Sequence, residues 1–132
     1  MVVDTSAVLA ILLEEPEAAD FAQLLEDDPT PLISAASVFE AGIVLLSRHG
    51  LEARGDLRDF IEQGGLQVEP VTAEQAALAL EAYQRFGKGR HRAGLNFGDC
   101  FSYALAKAVD EPLLFKGRDF AKTDVRVARG PL

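Results

Sequence analysis

Four acidic residues stand where acids are costly. Asp4 follows the apolar opening MVV and is followed by Val8, Leu9, Ile11 and Leu12. Glu40 interrupts SVFEAGIVLL, where its helical neighbours three and four positions away are Ala36, Ser37, Ile43 and Val44. Asp99 lies in NFGDC ahead of the apolar run FSYALA, and Asp119 lies in KGRDF just after PLLF. A carboxylate leaves water at a large free-energy cost unless something pairs with it, and no Lys or Arg precedes Arg48. Taken singly, Asp4 and Asp99 could cap helices and Asp119 could serve a turn. Gathered in one cleft, the four repel one another by about 4 kcal/mol per pair at roughly 4 Å and an effective dielectric of about 20. Two things relieve that repulsion: protonation at raised pKa, or a divalent cation. All-oxygen ligation suits Mg²⁺ or Mn²⁺. A bound ion of this kind activates water and offsets charge on a phosphodiester, so the chemistry indicated is phosphodiester hydrolysis. Thr5 and Ser6 offer hydroxyls beside Asp4, and Asp119 is the candidate to orient or deprotonate the attacking water. Asp124 is a further acid nearby in sequence.

For these residues to meet, the chain must return them to one edge. Met1 to Val3 read as a short buried strand, and a helix follows from Ser6. Pro16 fits the first turn of a second helix with Phe21, Leu24 and Leu25 on one face. Pro31 to Ser34 form a second strand leading into a helix from about Ser37 to His49, stopped by Gly50 as a left-handed cap. Leu57, Phe60 and Ile61 mark an amphipathic helix ended by Gly64 and Gly65, and Leu66 to Val71 form a strand. Thr72 opens a helix with Gln75 in capping-box spacing, and Gly87 closes it. Residues 87 to 95 are a Gly-rich basic loop, after which Asn96 or a neighbour caps a helix through about Val109. Leu113 to Phe115 make a strand, and Val125 to Val127 a last short one. Strands alternating with helices imply parallel pairing, hence a three-layer α/β/α sandwich around a mainly parallel sheet. In such a sheet ligands sit beyond the carboxyl ends of the strands, where Asp4, Asp99 and Asp119 all fall.

At 132 residues the chain fits one domain, residues 1–132, with 48% hydrophobic and 26% charged residues. No apolar run approaches the roughly 20 residues of a membrane span, and no basic leader precedes an apolar stretch, so neither membrane nor export is expected. A single cysteine, Cys100, suits a reducing cytoplasm, and with only two His it makes structural zinc a poor expectation. The net charge of −8 is unevenly spread. Residues 1–82 hold sixteen Asp or Glu against three Arg, whereas residues 83–132 hold ten Lys or Arg against five acids. Lys88, Arg90 and Arg92 in GKGRHRAG, with Arg118 beside Asp119, are candidate phosphate contacts on an otherwise acidic protein. Their alternative is a solvated loop. His49 at a helix end is read as complementing the helix dipole. Cys100 with His91 lacks any oxyanion-hole signature and is set aside as a nucleophilic pair, although a helix N-terminus favours a thiolate.

The combination of DTSA at the start, Glu40 in SVFEA, NFGDC before a helix and LLFKGRDF near the end resembles the VapC toxins of bacterial type II toxin–antitoxin pairs, which are PIN-domain ribonucleases. The resemblance runs from Met1 to about Val125. It implies that Asp4, Glu40 and Asp99 are the three core acids, with Asp119 the more variable fourth, and that Ser6 is the hydroxyl placed beside the first. It also implies a Mg²⁺ or Mn²⁺ requirement, endonucleolytic cleavage of structured RNA such as a transfer RNA or a ribosomal RNA loop, a homodimer, and inhibition by a VapB-type antitoxin. Two alternatives remain at this point. A phosphoacceptor signalling domain also carries an acidic Mg²⁺ pocket, but Asp4 is followed by Thr5 instead of a second acid, and LQVEPV ends without an aspartate. The other is a catalytically idle module that only binds its antitoxin.

Overall fold

The computed structural model describes residues 1–129. Four short strands make one parallel sheet: β1 (Val2–Val3), β2 (Leu32–Ser34), β3 (Gln67–Glu69) and β4 (Leu113–Leu114), in the spatial order β3-β2-β1-β4. Val2 pairs with Leu32 on one side and Leu113 on the other, while Ile33 pairs with Val68. Side chains alternate across a strand, and here each central strand feeds two cores. Val3 and Leu114 join Ile33, Val8, Ala41, Leu45 and Leu57 on one face. Val2 and Leu113 join Phe86, Leu95, Tyr103 and Leu105 on the other. Val2, Val3 and Leu113 have no exposed surface and Leu114 only 2%. At about 1.5–3 kcal/mol for each fully buried aliphatic side chain, this two-sided burial holds strands of only two or three residues in place.

Helices α1 (Thr5–Leu12), α2 (Ala18–Asp27), α3 (Ala35–His49) and α4 (Ala53–Gln63) cover the first face; α5 (Ala73–Phe86) and α6 (Phe97–Val109) cover the second. The expected three-layer α/β/α sandwich is the architecture found. The chain moves outward from β1 through β2 to β3, then crosses back over the other face to lay β4 against the free side of β1. The reversal point lies between β1 and β4, and a crevice beyond the strand ends is where doubly wound sheets place their ligands.

Several boundaries differ from the sequence reading. Helix α3 starts at Ala35, directly after β2, because the Ser34 side chain accepts from Ala36 N–H and caps it. Pro16 lies ahead of α2, in a turn where Glu14 takes φ 54° and Glu15 N–H bonds back to the Ala10 carbonyl. Gly50 has φ 63° but ψ −140°, so it is no left-handed helical cap; the chain leaves α3 through a 3₁₀ turn, Gly50–Glu52. Val125–Val127 is no strand. Only Val127 bridges Leu113, because β4 spans two residues and offers no longer edge to pair with. Thr72 does cap α5, accepting from Gln75 N–H at 3.1 Å. No helix among the described residues is long and apolar enough to cross a membrane.

Candidate active site

Asp4 is the first residue after β1 and the N-cap of α1, so both expectations for it hold in one residue. It is 2% exposed, and its carboxylate is held from both sides. Ser6 N–H at 3.0 Å and Ser6 Oγ at 2.6 Å donate to Oδ2, while Ser102 Oγ on α6 donates to Oδ1 at 2.5 Å. Ser6 Oγ in turn accepts from Lys116 N–H, at 3.0 Å, on the segment leaving β4. Thr5 points elsewhere: its hydroxyl donates to the Ser37 carbonyl at 3.2 Å and ties α1 to α3.

Asp99 reaches the same crevice from the N-terminus of α6. Asn96 caps this helix through a reciprocal box: Asp99 N–H donates to Asn96 Oδ1 at 2.8 Å, and Asn96 N–H donates to Asp99 Oδ2 at 2.9 Å. Burial pushes the Asp99 carboxyl up to about 6, against the Asn96 hydrogen bond, and the charges of Asp4, Glu40 and Asp119 push the same way. Acids from after β1, from α3 and from after β4 thus lie within electrostatic reach of Asp99 on α6. Glu40 arrives by close approach. A Cβ on Gly98 would lie 1.9 Å from Glu40 Oε2, so the bare backbone of Gly98 makes the room in which the Glu40 carboxylate lies beside Asp99. Asp119 is exposed on the segment after β4.

Asp124 is not among the charges that act on Asp99. It accepts from Tyr103 Oη at 2.7 Å and pairs with Lys107 Nζ at 3.1 Å, with Arg85 at 3.7 Å. Burial pushes its carboxyl up, but the Tyr103 hydroxyl and the two cations outweigh that and hold it below its ordinary value. At Cys100 burial and the Asp99 charge push the thiol up to about 11, against the pull of the helix N-terminus, in line with setting it aside as a nucleophile. His91 faces its own loop, accepting from Ala93 N–H at Nδ1, and His49 pairs with Asp56 at 3.1 Å.

Eight of the ten cations of the second half fall into two sets. Lys107, Lys116, Arg85 and Arg126 are engaged in ion pairs, Lys116 with Glu15 and Glu17. Lys88, Arg90, Arg92 and Arg118 are exposed and, among the described residues, form no ion pair. The loop bearing the first three is clasped at its base by Lys88 N–H to the Leu95 carbonyl and Leu95 N–H to the Phe86 carbonyl, at 2.8 and 2.9 Å. Leu95 immediately precedes the Asn96 cap, so the loop stands beside Asp99. The sequence missed two residues here. Ser37 and Ser102, 1% and 0% exposed, lie in apolar helix sequence with nothing nearby to mark them; only the bond from Ser102 to Asp4 and the contact of Ser37 with Ser102 do.

An acidic crevice with this donor set suits a hard divalent cation. Every candidate ligand is a carboxylate oxygen, the donor type such an ion takes, and the Asp99 value is raised first by burial and then by the charges of Asp4, Glu40 and Asp119. Among the described residues no three His, Cys, Asp or Glu side chains close around a single point.

The family model of the PIN domain matches residues 1–126. The chain belongs to the PIN-domain family, among its VapC ribonucleases. It is 50% identical over 95% of its length to Ribonuclease VapC of Mycolicibacterium smegmatis, spanning 97% of that protein. It is 51% identical to Ribonuclease VapC28 of Mycobacterium tuberculosis, with 97% of each chain covered. Ribonuclease VapC30 of the same organism is 46% identical, with 99% of this chain and 100% of the other covered. The fold is also that of the crystal structure of Mycobacterium tuberculosis VapC20, a Sarcin-Ricin loop cleaving toxin, at a TM-score of 0.79, 22% identity and 98% coverage of both chains. Members of this group hydrolyse RNA phosphodiester bonds with a divalent metal and act alongside VapB antitoxins. The phosphoacceptor alternative falls with that membership.

Proposed function

We propose that this chain is the endoribonuclease toxin of a toxin–antitoxin pair, working in the cytoplasm as one domain over residues 1–132, with Asp4, Glu40, Asp99 and Asp119 as its catalytic acids. The observation that carries this reading is that Asp4, Glu40 and Asp119, each from a different stretch of chain, all act on the charge of Asp99, with the Glu40 carboxylate packed against Gly98 next to it. Asp4, Asp99 and Glu40 would hold Mg²⁺ or Mn²⁺. When bound, the ion lowers the pKa of a coordinated water and offsets charge that develops on the phosphate. Asp119, exposed at the mouth, orients the attacking water and takes its proton. Ser6 holds Asp4, and Thr5 holds the α1–α3 junction behind it. Lys88, Arg90, Arg92 and Arg118 supply unpaired positive charge for the RNA backbone beside an acidic centre, which favours a folded substrate such as a transfer RNA or ribosomal RNA loop.

Two partners complete the reading. The acidic first half offers a complementary surface to a basic VapB-type antitoxin segment. A homodimer is supported by the apolar surface of α5 and α6, where Leu80 is 71% and Phe97 79% exposed beside Phe101.

The test is cleavage of total cellular RNA by the purified protein with Mg²⁺, with Mn²⁺ and with chelator, alongside Asp4→Asn, with cut sites mapped. Chelator should stop cutting, and Asp4→Asn should lower it by more than about a hundredfold while leaving the melting transition cooperative. A variant that cuts as well as the parent sinks the site assignment.

A further inference from the structure

Ser102 is wholly buried on α6, three residues beyond Asp99, and cannot touch substrate. Its hydroxyl has one proton, and that proton goes to Asp4 Oδ1, an acceptor-only oxygen while the carboxylate is ionised. The 3.2 Å contact between Ser102 Oγ and Ser37 Oγ therefore has one direction: Ser37 donates and Ser102 accepts. A matching pair stands on the other side, where Lys116 N–H donates to Ser6 Oγ and Ser6 Oγ donates to Asp4 Oδ2. Each hydroxyl is polarised by the donor behind it, which strengthens its hold on the carboxylate.

The two oxygens of Asp4 are not equivalent. A carboxylate offers about four lone-pair sites. Oδ2 accepts from both the Ser6 hydroxyl and the Ser6 amide, and is filled. Among the described residues Oδ1 accepts from Ser102 alone and retains one open lone pair. We infer that Ser102, backed by Ser37, is a positioning residue for the hydrolysis: it fixes the Asp4 carboxylate so that the open lone pair of Oδ1 is presented to the divalent cation. The inference rests on the proposed reading of Asp4 as a metal-binding acid, and extends it to two residues on α3 and α6 that touch neither metal nor RNA.

The experiment measures Mn²⁺ binding to the purified protein by loss of the free-ion electron paramagnetic resonance signal, together with kcat and KM on RNA and the melting temperature. It compares the parent with Ser102→Ala, Ser37→Ala and Asp4→Asn. Ser102→Ala should weaken Mn²⁺ binding by about tenfold or more and lower kcat correspondingly, with KM for RNA within about twofold. Ser37→Ala should shift both in the same direction but less, since Ser102 keeps its own proton for Asp4. A purely structural hydroxyl would lower the melting temperature without changing the Mn²⁺ affinity of the folded protein. Parent-like Mn²⁺ affinity in Ser102→Ala, alongside lost binding in Asp4→Asn, overturns the positioning role and leaves Asp4 in place. Parent-like affinity in Asp4→Asn overturns the site reading itself. If Ser102→Ala does not fold, Ser37→Ala decides: Mn²⁺ affinity and kcat equal to the parent's overturn the inference.

Discussion

In the metal-free protein Asp99 holds its proton up to about pH 6, first because it is buried and then because Asp4, Glu40 and Asp119 surround it. A folded-state value above the ordinary 3.8 means that the native state binds this proton more tightly than the unfolded chain. The metal-free fold therefore gains stability from this group as pH falls through about 6 toward 4, and the ionised carboxyl opposes folding at pH 7. Asp99→Asn keeps an oxygen for the Asn96 N–H and removes the charge. It should raise metal-free stability at pH 7 by about 1 kcal/mol after solvent screening, lose about half of that advantage at pH 5, and abolish cutting. Urea melts at the two pH values check the first two outcomes. At limiting Mn²⁺, parent cleavage should also fall as pH drops below about 6, where proton and cation compete for Asp99. Gly98→Ala tests the neighbouring contact: its methyl group would collide with Glu40 Oε2, and cutting should drop by about tenfold or more with the fold intact. Asp4, Glu40 and Asp99 are legible in the sequence because each breaks an apolar pattern. Ser102 is not, since a serine in an apolar helix breaks none, and its partner Asp4 lies 98 positions away. Asp124 misleads for the opposite reason. It is five residues from Asp119, but the 3₁₀ turn Phe120–Lys122 carries it round to Tyr103 and Lys107.

Among the elements, the loop 87–95 combines a clasped base with free cations at its rim. Phosphate contacts show themselves through salt: each one lost on single-stranded nucleic acid removes about 0.7 from the slope of log affinity against log salt. Reversing Lys88, Arg90 and Arg92 together to Glu should raise KM for RNA, flatten that slope by about 2, and leave kcat at saturating RNA little changed. An unchanged KM and slope would end the role of this rim. Helices were readable to within a few residues because their caps and periodicity are local, as at Thr72, Asn96 and Gly87. Strands of two or three residues were readable as apolar runs but not in extent, because their length depends on what lies alongside. Val125–Val127 shows this: alternation suggests a strand, yet β4 offers it one partner residue.

For the molecule as a whole, alternating strands and helices made the parallel layered class legible, whereas the order β3-β2-β1-β4 follows only from how the two helical layers share the sheet. The two cores meet through β1 and β4, so damage on one side should reach stability before chemistry. Leu105→Ala, wholly buried in the second core, should lower stability by about 2–5 kcal/mol in denaturant melts, with little change in kcat per folded molecule. The placement of β4 beside β1 also has a consequence for synthesis. The first strand to leave the ribosome acquires its second neighbour only after residue 114, and Asp119 follows later still. A growing polypeptide thus lacks an assembled centre until nearly all of these residues have been translated.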